Sequence, residues 1–424
     1  PRTTGGAAGY RGVRARALSR GAGGEHGVTS SGVRMTERWD AIVVGGGPAG
    51  SAMAARLAGD GFATLLLDRA AFPRRKPCGE CVNPAGVDEL RSLGAWSAVC
   101  AAGPAPLEGW LIRPGGDDGF RGGFPAGVRG IGIPREVLDA ILVDHARAVG
   151  AEVRTGVRVT DLLRDGDRVV GVLTDAGAEL RARLVVGADG LRSVVVRRLG
   201  LVTRAPRLRK IALTAHVAGL EAGDSAWGEL RAIGRGCVGI APVGGGLANV
   251  TVVVAGDGMH DVAGDPAGYF DAALERFGFG DARRADEVLS TGPFDFPVRR
   301  AVADGALLVG DAAGYYDPFT GQGIFRALRG ARLAAQTAAA ALRASDVSAA
   351  ALMPYERARR RAFRPGERMQ HIVEAFVARP ALLRRMARRF ARSPVLGDAI
   401  IRVTGDVRPV RSLLRPAVLA GLLG

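Results

Sequence analysis

Residues 40–68 read DAIVVGGGPAGSAMAARLAGDGFATLLLD, and the fold follows from them. The apolar, mostly β-branched run Ala41–Val44 predicts a buried strand. Gly45, Gly47 and Gly50 follow as G-x-G-x-x-G, with Ala49 inside the motif. Ser51–Ala58 then reads as a small-residue helix that stops at Gly59 and Gly61, and Thr64–Leu67 predicts a second strand closed by Asp68. In this order the first glycine permits a tight turn, the second lets backbone approach a pyrophosphate, and the third allows close helix–strand packing. The helix start offers free N–H groups and a positive dipole end to the phosphates, and an acid at the end of the second strand can accept from ribose hydroxyls. Glycine makes up 63 of 424 residues, so three glycines alone would be weak; the whole βαβ unit points to a dinucleotide site rather than an empty glycine-rich crossover.

A chain of 424 residues has room for two cores, and an apolar content of 47% suits a soluble α/β protein. No apolar run reaches the length that spans a bilayer. Four cysteines (Cys78, Cys81, Cys100 and Cys237) are too few for a secreted disulfide scaffold, which implies a reducing cytoplasm. The histidines are scattered singly, so no metal site is expected. The net charge of +16 suggests a polyanion partner until it is located. Residues 1–34 carry +5 and residues 356–424 carry +11, whereas the body between them has 36 basic and 36 acidic residues. A nucleic-acid groove needs a basic body, so no nucleic-acid partner is expected. Residues 1–34 lack hydrophobic periodicity and read as a disordered extension.

Further along, Cys78-x-x-Cys81 admits a redox-dithiol reading, but a disulfide reductase of the two-dinucleotide kind would need a second glycine fingerprint. Gly244–Asn249 lies between strand-like runs and opens no helix. Residues 105–130 read as short strands and turns, 162–173 as a hairpin turning at Asp165-Gly166, and 211–254 as an antiparallel sheet. Ala306–Val309 is again a buried strand, and from Ile324 onward the chain reads as helix.

Three ordered elements resemble the FAD-dependent oxidoreductases that share the fold of p-hydroxybenzoate hydroxylase. They are Gly45-x-Gly47-x-x-Gly50 with Asp68, then Asp189-Gly190 with Ser193 and Arg197, then Gly310-Asp311 followed by Pro318 and Gly321-x-Gly323. Within that superfamily, Lys76-Pro-Cys-Gly79 and Gly310–Gly314 look most like the geranylgeranyl reductase branch; hydroxylases usually carry His where this chain has Gly314. The resemblance implies that FAD is held by Gly45, Gly47, Ala49, Gly50, Asp68, Asp189 and Asp311. It further implies that Cys78, Gly79 and Cys81 line the flavin, that Arg135 stands beside the cofactor, and that Val159 joins them by spacing. Gly321, Gly323 and Ile324 start a helix whose N–H groups can face the flavin N1/O2 edge. Cys78, Tyr315 and Tyr316 are the catalytic and substrate-pocket candidates. The chain departs from the branch at Cys237–Pro242, where an aromatic Y-x-W-x-F-P stretch is expected, and the W-x-W-x-I-P motif of flavin-dependent halogenases is absent.

The expected fold is α/β: a Rossmann-type FAD-binding domain (35–104, 131–200 and 291–345), an inserted antiparallel β substrate domain (105–130 and 201–290), and a helical C-terminal region (346–424). The expected activity is hydride transfer between flavin and a lipophilic isoprenoid or polyketide-like substrate, with an aromatic monooxygenase as the alternative, on which Gln322 in G-Q-G bears. NAD(P)H or another electron donor would serve as transient co-substrate. Pro380–Pro394 predicts a basic amphipathic helix with Leu382, Met386 and Phe390 in one apolar stripe, Leu383 beside them, and Arg384, Arg385, Arg388 and Arg392 elsewhere on its surface. Two readings follow for it: docking on the FAD domain, or peripheral contact with an anionic membrane.

Overall fold

The computed structural model describes residues 38–115, 119–207, 210–220, 225–233, 236–317, 321–416 and 418. The N-terminal extension 1–34 and Pro318 lie outside the described residues.

Strand Arg38–Val44 stands in the middle of the first sheet, parallel to Glu179–Gly187 on one side and to Thr64–Asp68 on the other. Glu152–Thr155 and Ala306–Leu308 extend the parallel order outward. The hairpin Val159–Asp165 and Arg168–Thr174 joins Glu179–Gly187 in antiparallel fashion. Ala41–Val43 and Leu65–Leu67 are fully buried, because helices cover a parallel sheet on its faces and its strands then carry no polar alternation. Helix Pro48–Gly59 packs against Arg135–Ala148 and Gly323–Arg343, and the alanine face of the last (Ala331, Ala334, Ala338) permits a close approach.

The second sheet runs in the order Arg283–Arg284, Lys210–Ala218, Leu247–Ala255, Gly236–Gly244, Trp227–Ile233, Gly109–Arg113, Phe120–Gly123. Its period-2 alternation separates two surfaces. Leu213, Ala215, Val217, Val238, Val250, Val252 and Val254 pack with Phe270 and Leu274 of helix Pro266–Arg276. The intervening residues Ala212, Thr214, Cys237, Gly239, Ala241, Asn249, Thr251 and Val253 face a cavity.

Segment 105–130, expected to belong wholly to the substrate domain, divides in two. Ala105–Leu107 and Gly130–Gly132 form a small third sheet with Cys81–Val82, and only Gly109–Arg113 and Phe120–Gly123 join the second sheet. The small sheet lies close under Pro242: a Cβ on Gly132 would stand 1.7 Å from the Pro242 carbonyl oxygen. The described residues from 38 onward form one compact unit.

Of the C-terminal helices, Ala349–Val377 packs on Gly323–Arg343 and on strand Val302–Ala303 at the first sheet's edge, while Pro380–Ala391 and Pro394–Thr404 close the second sheet's edge. Strand Phe120–Gly123 and helix Pro394–Thr404 meet through glycine: a Cβ on Gly122 would come within 2.1 Å of the Gly397 carbonyl oxygen. Asp398 accepts from the Gly123 N–H at 2.8 Å, and Phe120 packs on Phe390 with ring centroids 4.9 Å apart. No helix among the described residues is long and apolar enough to cross a membrane.

Candidate active site

A continuous cavity of about 1290 Å³ runs from the glycine turn to the C-terminal helices. That exceeds the usual 300–1,000 Å³ of a single small-ligand pocket, so it has room for a cofactor and a second molecule. Its first half is bordered by Gly45, Gly47, Ala49, Asp68, Val159, Asp189, Gly310, Asp311, Gly321, Gly323 and Ile324, and by Cys78, Gly79, Cys81 and Arg135. Residues scattered over 280 positions of sequence thus meet around one space.

The three fingerprint glycines have different surroundings. A Cβ on Gly50 would sit 1.8 Å from the Gly45 carbonyl oxygen, so Gly50 holds helix against strand and does not line the cavity. Gly45 adopts φ +105 and turns directly over Ala188. A Cβ on Gly47 would meet nothing nearer than the Arg135 guanidinium at 3.9 Å, so its open side faces the cavity. Asp68 is buried and already bonded. It accepts from the Gly46 N–H at 2.7 Å and the Ala70 N–H at 2.8 Å, and pairs with Arg74 at 3.3 Å. It therefore fixes the glycine turn as well as bordering the site. Asp189 likewise caps helix Val194–Arg198 through the Val194 N–H at 2.6 Å, while its second oxygen is buried with no bond among the described residues. Burial pushes the Asp189 carboxyl up, against the lowering by Ser193 and the Val194 amide.

Asp311 presents its carboxylate to the cavity with no hydrogen bond from a described residue, and Gly323–Arg343 points its N-terminus at the same space. Arg135 is held in the wall by two 2.8 Å bonds to Asp139. Burial alone would lower its basicity, but Asp139 and Cys78 outweigh it, so the guanidinium is permanently charged. Lys76, which the sequence reading took only as part of a motif, borders the cavity between Arg135 and Asp311. Desolvation and then Arg135 pull its ammonium down, with Asp311 opposing.

The two cysteines of the C-x-x-C stretch are free thiols. Cys81 donates to the Gly79 carbonyl at 3.1 Å, and burial, then Cys78 and Glu80, push its thiol well above the ordinary range. Cys81 therefore stays a thiol at neutral pH. The tyrosine pair separates. Tyr315 borders the cavity and packs on Phe294 at 5.9 Å, and its phenol is pushed well up by burial. Tyr316 lies off the cavity, against His371 at 4.1 Å, because neighbouring residues on an extended segment point to opposite sides.

The second half of the cavity was largely missed from sequence. Its walls are Met369, Val373, Phe376, Leu383, Met386 and Phe390 from the C-terminal helices, facing Thr214, Asn249 and Thr251 on the sheet. The apolar stripe of Pro380–Ala391 is thus turned inward and centred on Leu383, Met386, Ala387 and Phe390, while Leu382 is 39% exposed. The helix docks, but on strand Phe120–Gly123 of the second sheet and on its neighbouring helices rather than on the FAD domain as expected. Sequence alternation in 211–254 was the available signal for the sheet residues; nothing in the helical periodicity said which surface the tail would meet.

A βαβ glycine turn, an acid after a strand end and a helix N-terminus around one cavity define a flavin-dinucleotide oxidoreductase. Comparison with known proteins gives the same class: residues 38–366 match the family described as FAD binding domain. The chain belongs to this family of FAD-dependent oxidoreductases and is of the geranylgeranyl reductase type. It is 33% identical over 329 residues to the digeranylgeranylglycerophospholipid reductase of Methanosarcina mazei, covering 74% of this chain and 78% of the relative. It is 32% identical to the menaquinone reductase of Mycobacterium tuberculosis, covering 70% of this chain and 76% of the relative. Among solved structures, a myxobacterial chondrochloren halogenase superposes with TM-score 0.71 at 27% identity, covering 80% of this chain and 82% of that one. The open face of Gly47, the Asp311 carboxylate with no hydrogen bond from a described residue, and the Asp189 oxygen with none among the described residues fit FAD.

Proposed function

We propose that this enzyme uses FAD to transfer hydride to carbon–carbon double bonds of a lipophilic, isoprenoid-bearing substrate. The observation that carries this reading is the apolar second half of the cavity, which continues from Cys78 and Tyr315 into Val373, Phe376, Leu383, Met386 and Phe390. A prenyl chain laid there buries apolar surface at about 25 cal/mol per Å², enough to hold an uncharged chain without polar anchors. The name of the archaeal relative, a reductase of a digeranylgeranyl lipid, supports the same substrate class.

When bound, FAD supplies the two-electron carrier. The protein's own contributions are positional and electrostatic. Gly47 and the first turn of helix Pro48–Gly59 would receive the pyrophosphate, and Asp311 would accept from the ribityl hydroxyls. The start of Gly323–Arg343 presents N–H groups and a positive dipole end to the cavity, which would stabilise negative charge on a reduced flavin held there. Tyr315, held protonated, is a hydrogen-bond donor rather than a base. The electron donor is NAD(P)H or another carrier that visits transiently, since the sequence has one dinucleotide fingerprint. Gln322, the residue pointing toward an oxygenase, turns its side-chain amide to Asp406 at 2.8 Å.

The test is anaerobic: photoreduced enzyme is mixed with a geranylgeranyl lipid and the product examined by mass spectrometry. Two added hydrogens per double bond are expected. Reaction only with oxygen, with labelled oxygen in the product, rejects the reading.

We also infer peripheral contact with an anionic membrane at the cavity's outer wall. Leu382 and Val395 are 39% and 52% exposed, and Arg384, Arg385, Arg388 and Arg392 are exposed around them. Each arginine near such a surface contributes about 1 kcal/mol. Sedimentation with anionic but not neutral vesicles, weakened by salt, is expected; no binding at low salt rejects it.

A further inference from the structure

The turn that carries Cys78 and Cys81 is clamped by an acid–histidine–acid chain. His216 projects from strand Lys210–Ala218 on the same face as Ala212 and Thr214, the face toward the cavity. Its Nε2 lies 2.6 Å from Glu80 Oε2 and its Nδ1 lies 2.6 Å from Asp286 Oδ2, while its backbone N–H donates to Asp286 Oδ1 at 2.9 Å. His216 and Glu80 are 7% and 4% exposed, but the Asp286 side chain is 23% exposed, so the chain runs from solvent to the interior. Glu80 borders the cavity, and its N–H donates to Cys78 Sγ at 3.4 Å. Its other carboxylate oxygen accepts from the Arg135 N–H at 2.7 Å. Glu80 also holds φ +56, a left-handed conformation that a glutamate adopts only when its surroundings impose it.

Two carboxylates at both ring nitrogens match the doubly protonated imidazole, in which both nitrogens donate. The other charged groups around the chain are Arg75, 2.8 Å from Asp286, and Arg284, whose guanidinium reaches the Asp286 carbonyl at 3.4 Å. Across the sheet His216 faces the uncharged Asn249. Burial would lower the imidazole's basicity, but Glu80 and then Asp286 outweigh it and raise it above its ordinary value.

We propose that Asp286, His216 and Glu80 form a proton-delivery chain that supplies, at the cavity wall beside Cys78, the proton accompanying each hydride. The proposal rests on the reductase reading. Reduction of a double bond forms two C–H bonds: one with the hydride and its electron pair from the reduced cofactor, the other with a proton that takes up the electrons of the broken π bond. The alkene is reduced and the cofactor oxidised. His216 passes its Nε2 proton to the Glu80 carboxylate, Glu80 hands it to the substrate carbon, and the neutral imidazole regains a proton through Asp286 from water at the surface. Glu80 is the member facing substrate; His216 and Asp286 act through it.

The experiment compares wild-type holoenzyme with His216→Gln and Glu80→Gln. Anaerobic reoxidation of photoreduced enzyme by a geranylgeranyl lipid is followed in water and deuterium oxide, from about pH 6 to about pH 9, across the range where a raised histidine titrates. Wild type is expected to slow in deuterium oxide and to lose rate as pH rises through the His216 titration. Both variants are expected to retain FAD, to react about 10²-fold more slowly, and to lose that pH dependence. Independently of turnover, imidazole NMR of oxidised holoenzyme is expected to show His216 titrating above the ordinary value, about 6.5, and lower in Glu80→Gln. Wild-type rate and pH profile in both variants, or an unchanged His216 titration in Glu80→Gln, overturns the chain while the reductase reading stands. A wild-type enzyme that no alkene reoxidises overturns both.

Discussion

Gly47→Val separates cofactor binding from folding. A Cβ added at Gly47 meets no protein atom nearer than 3.9 Å, and there only the flexible ends of Arg135 and Arg74. Gly47 has φ −76 and ψ −177, a conformation open to any residue, so valine introduces no backbone strain. As an N-cap, valine is poorer than glycine by about 1 kcal/mol, well short of the stability of a domain. Its methyl groups, however, project from the first turn into the space that a pyrophosphate must enter. Losing two charge-assisted hydrogen bonds of about 1.5–3 kcal/mol each weakens FAD binding by about 3–6 kcal/mol, on the order of 10²–10⁴-fold in Kd. The assay is titration of apoprotein with FAD by flavin fluorescence, alongside thermal melting by circular dichroism. Gly50→Ala is the contrasting variant: its Cβ would lie 1.8 Å from a backbone oxygen, so it is expected to misfold rather than to fold without cofactor. If Gly47→Val folds and binds FAD within about threefold of wild type, a loss under about 0.7 kcal/mol, the pyrophosphate does not lie over Gly47 and the assignment of this turn fails.

Asp406 accepts from Asn83 and Gln322, the N-caps of helices Pro84–Leu93 and Gly323–Arg343, and burial pushes its carboxyl up to about 7. A carboxyl raised in the fold contributes stability that is complete below its ordinary value near 3.8 and is lost as pH rises to about 7. Asp406→Asn, whose amide oxygen keeps both bonds, is therefore expected to melt like wild type at about pH 4 and to exceed it at about pH 8, by at most about 4 kcal/mol; a gap that does not change with pH refutes this. Asp311→Ala is expected to leave the melting temperature unchanged and to weaken FAD binding by about 1.5–3 kcal/mol, on the order of 10–100-fold, read by the same titration. Phe390→Ala removes a ring from the apolar wall and its contact with Phe120; KM for a geranylgeranyl lipid is expected to rise several-fold with FAD affinity unchanged.

Local pattern made much of this molecule legible. Residues 40–68 carry their own strand, turn and helix signals, and a turn that only glycine can make is visible in any sequence. The hairpin, whose turn falls one residue later than expected at Gly166-Asp167, the antiparallel run from 211 to 254 and the helix after Gly323 were readable, because each depends on neighbours a few positions away. The site residues taken from the three motifs reach one cavity where strands end, except Gly50, which packs, and Tyr316, whose neighbour Tyr315 took the inward direction.

By itself the sequence determined the dinucleotide turn, the α/β class and the neutrality of the body, all of them properties of residues near one another or of composition. Only the tertiary structure decided that Glu80 meets His216, 136 positions away, and that Asp406 joins Asn83 and Gln322. It also decided that the arginine-rich tail turns Leu383 and Phe390 into the cavity, leaving Leu382 outside. Periodicity fixes which residues share a face of a helix or strand. What that face meets depends on packing between elements distant in the chain, and no short-range signal encodes it.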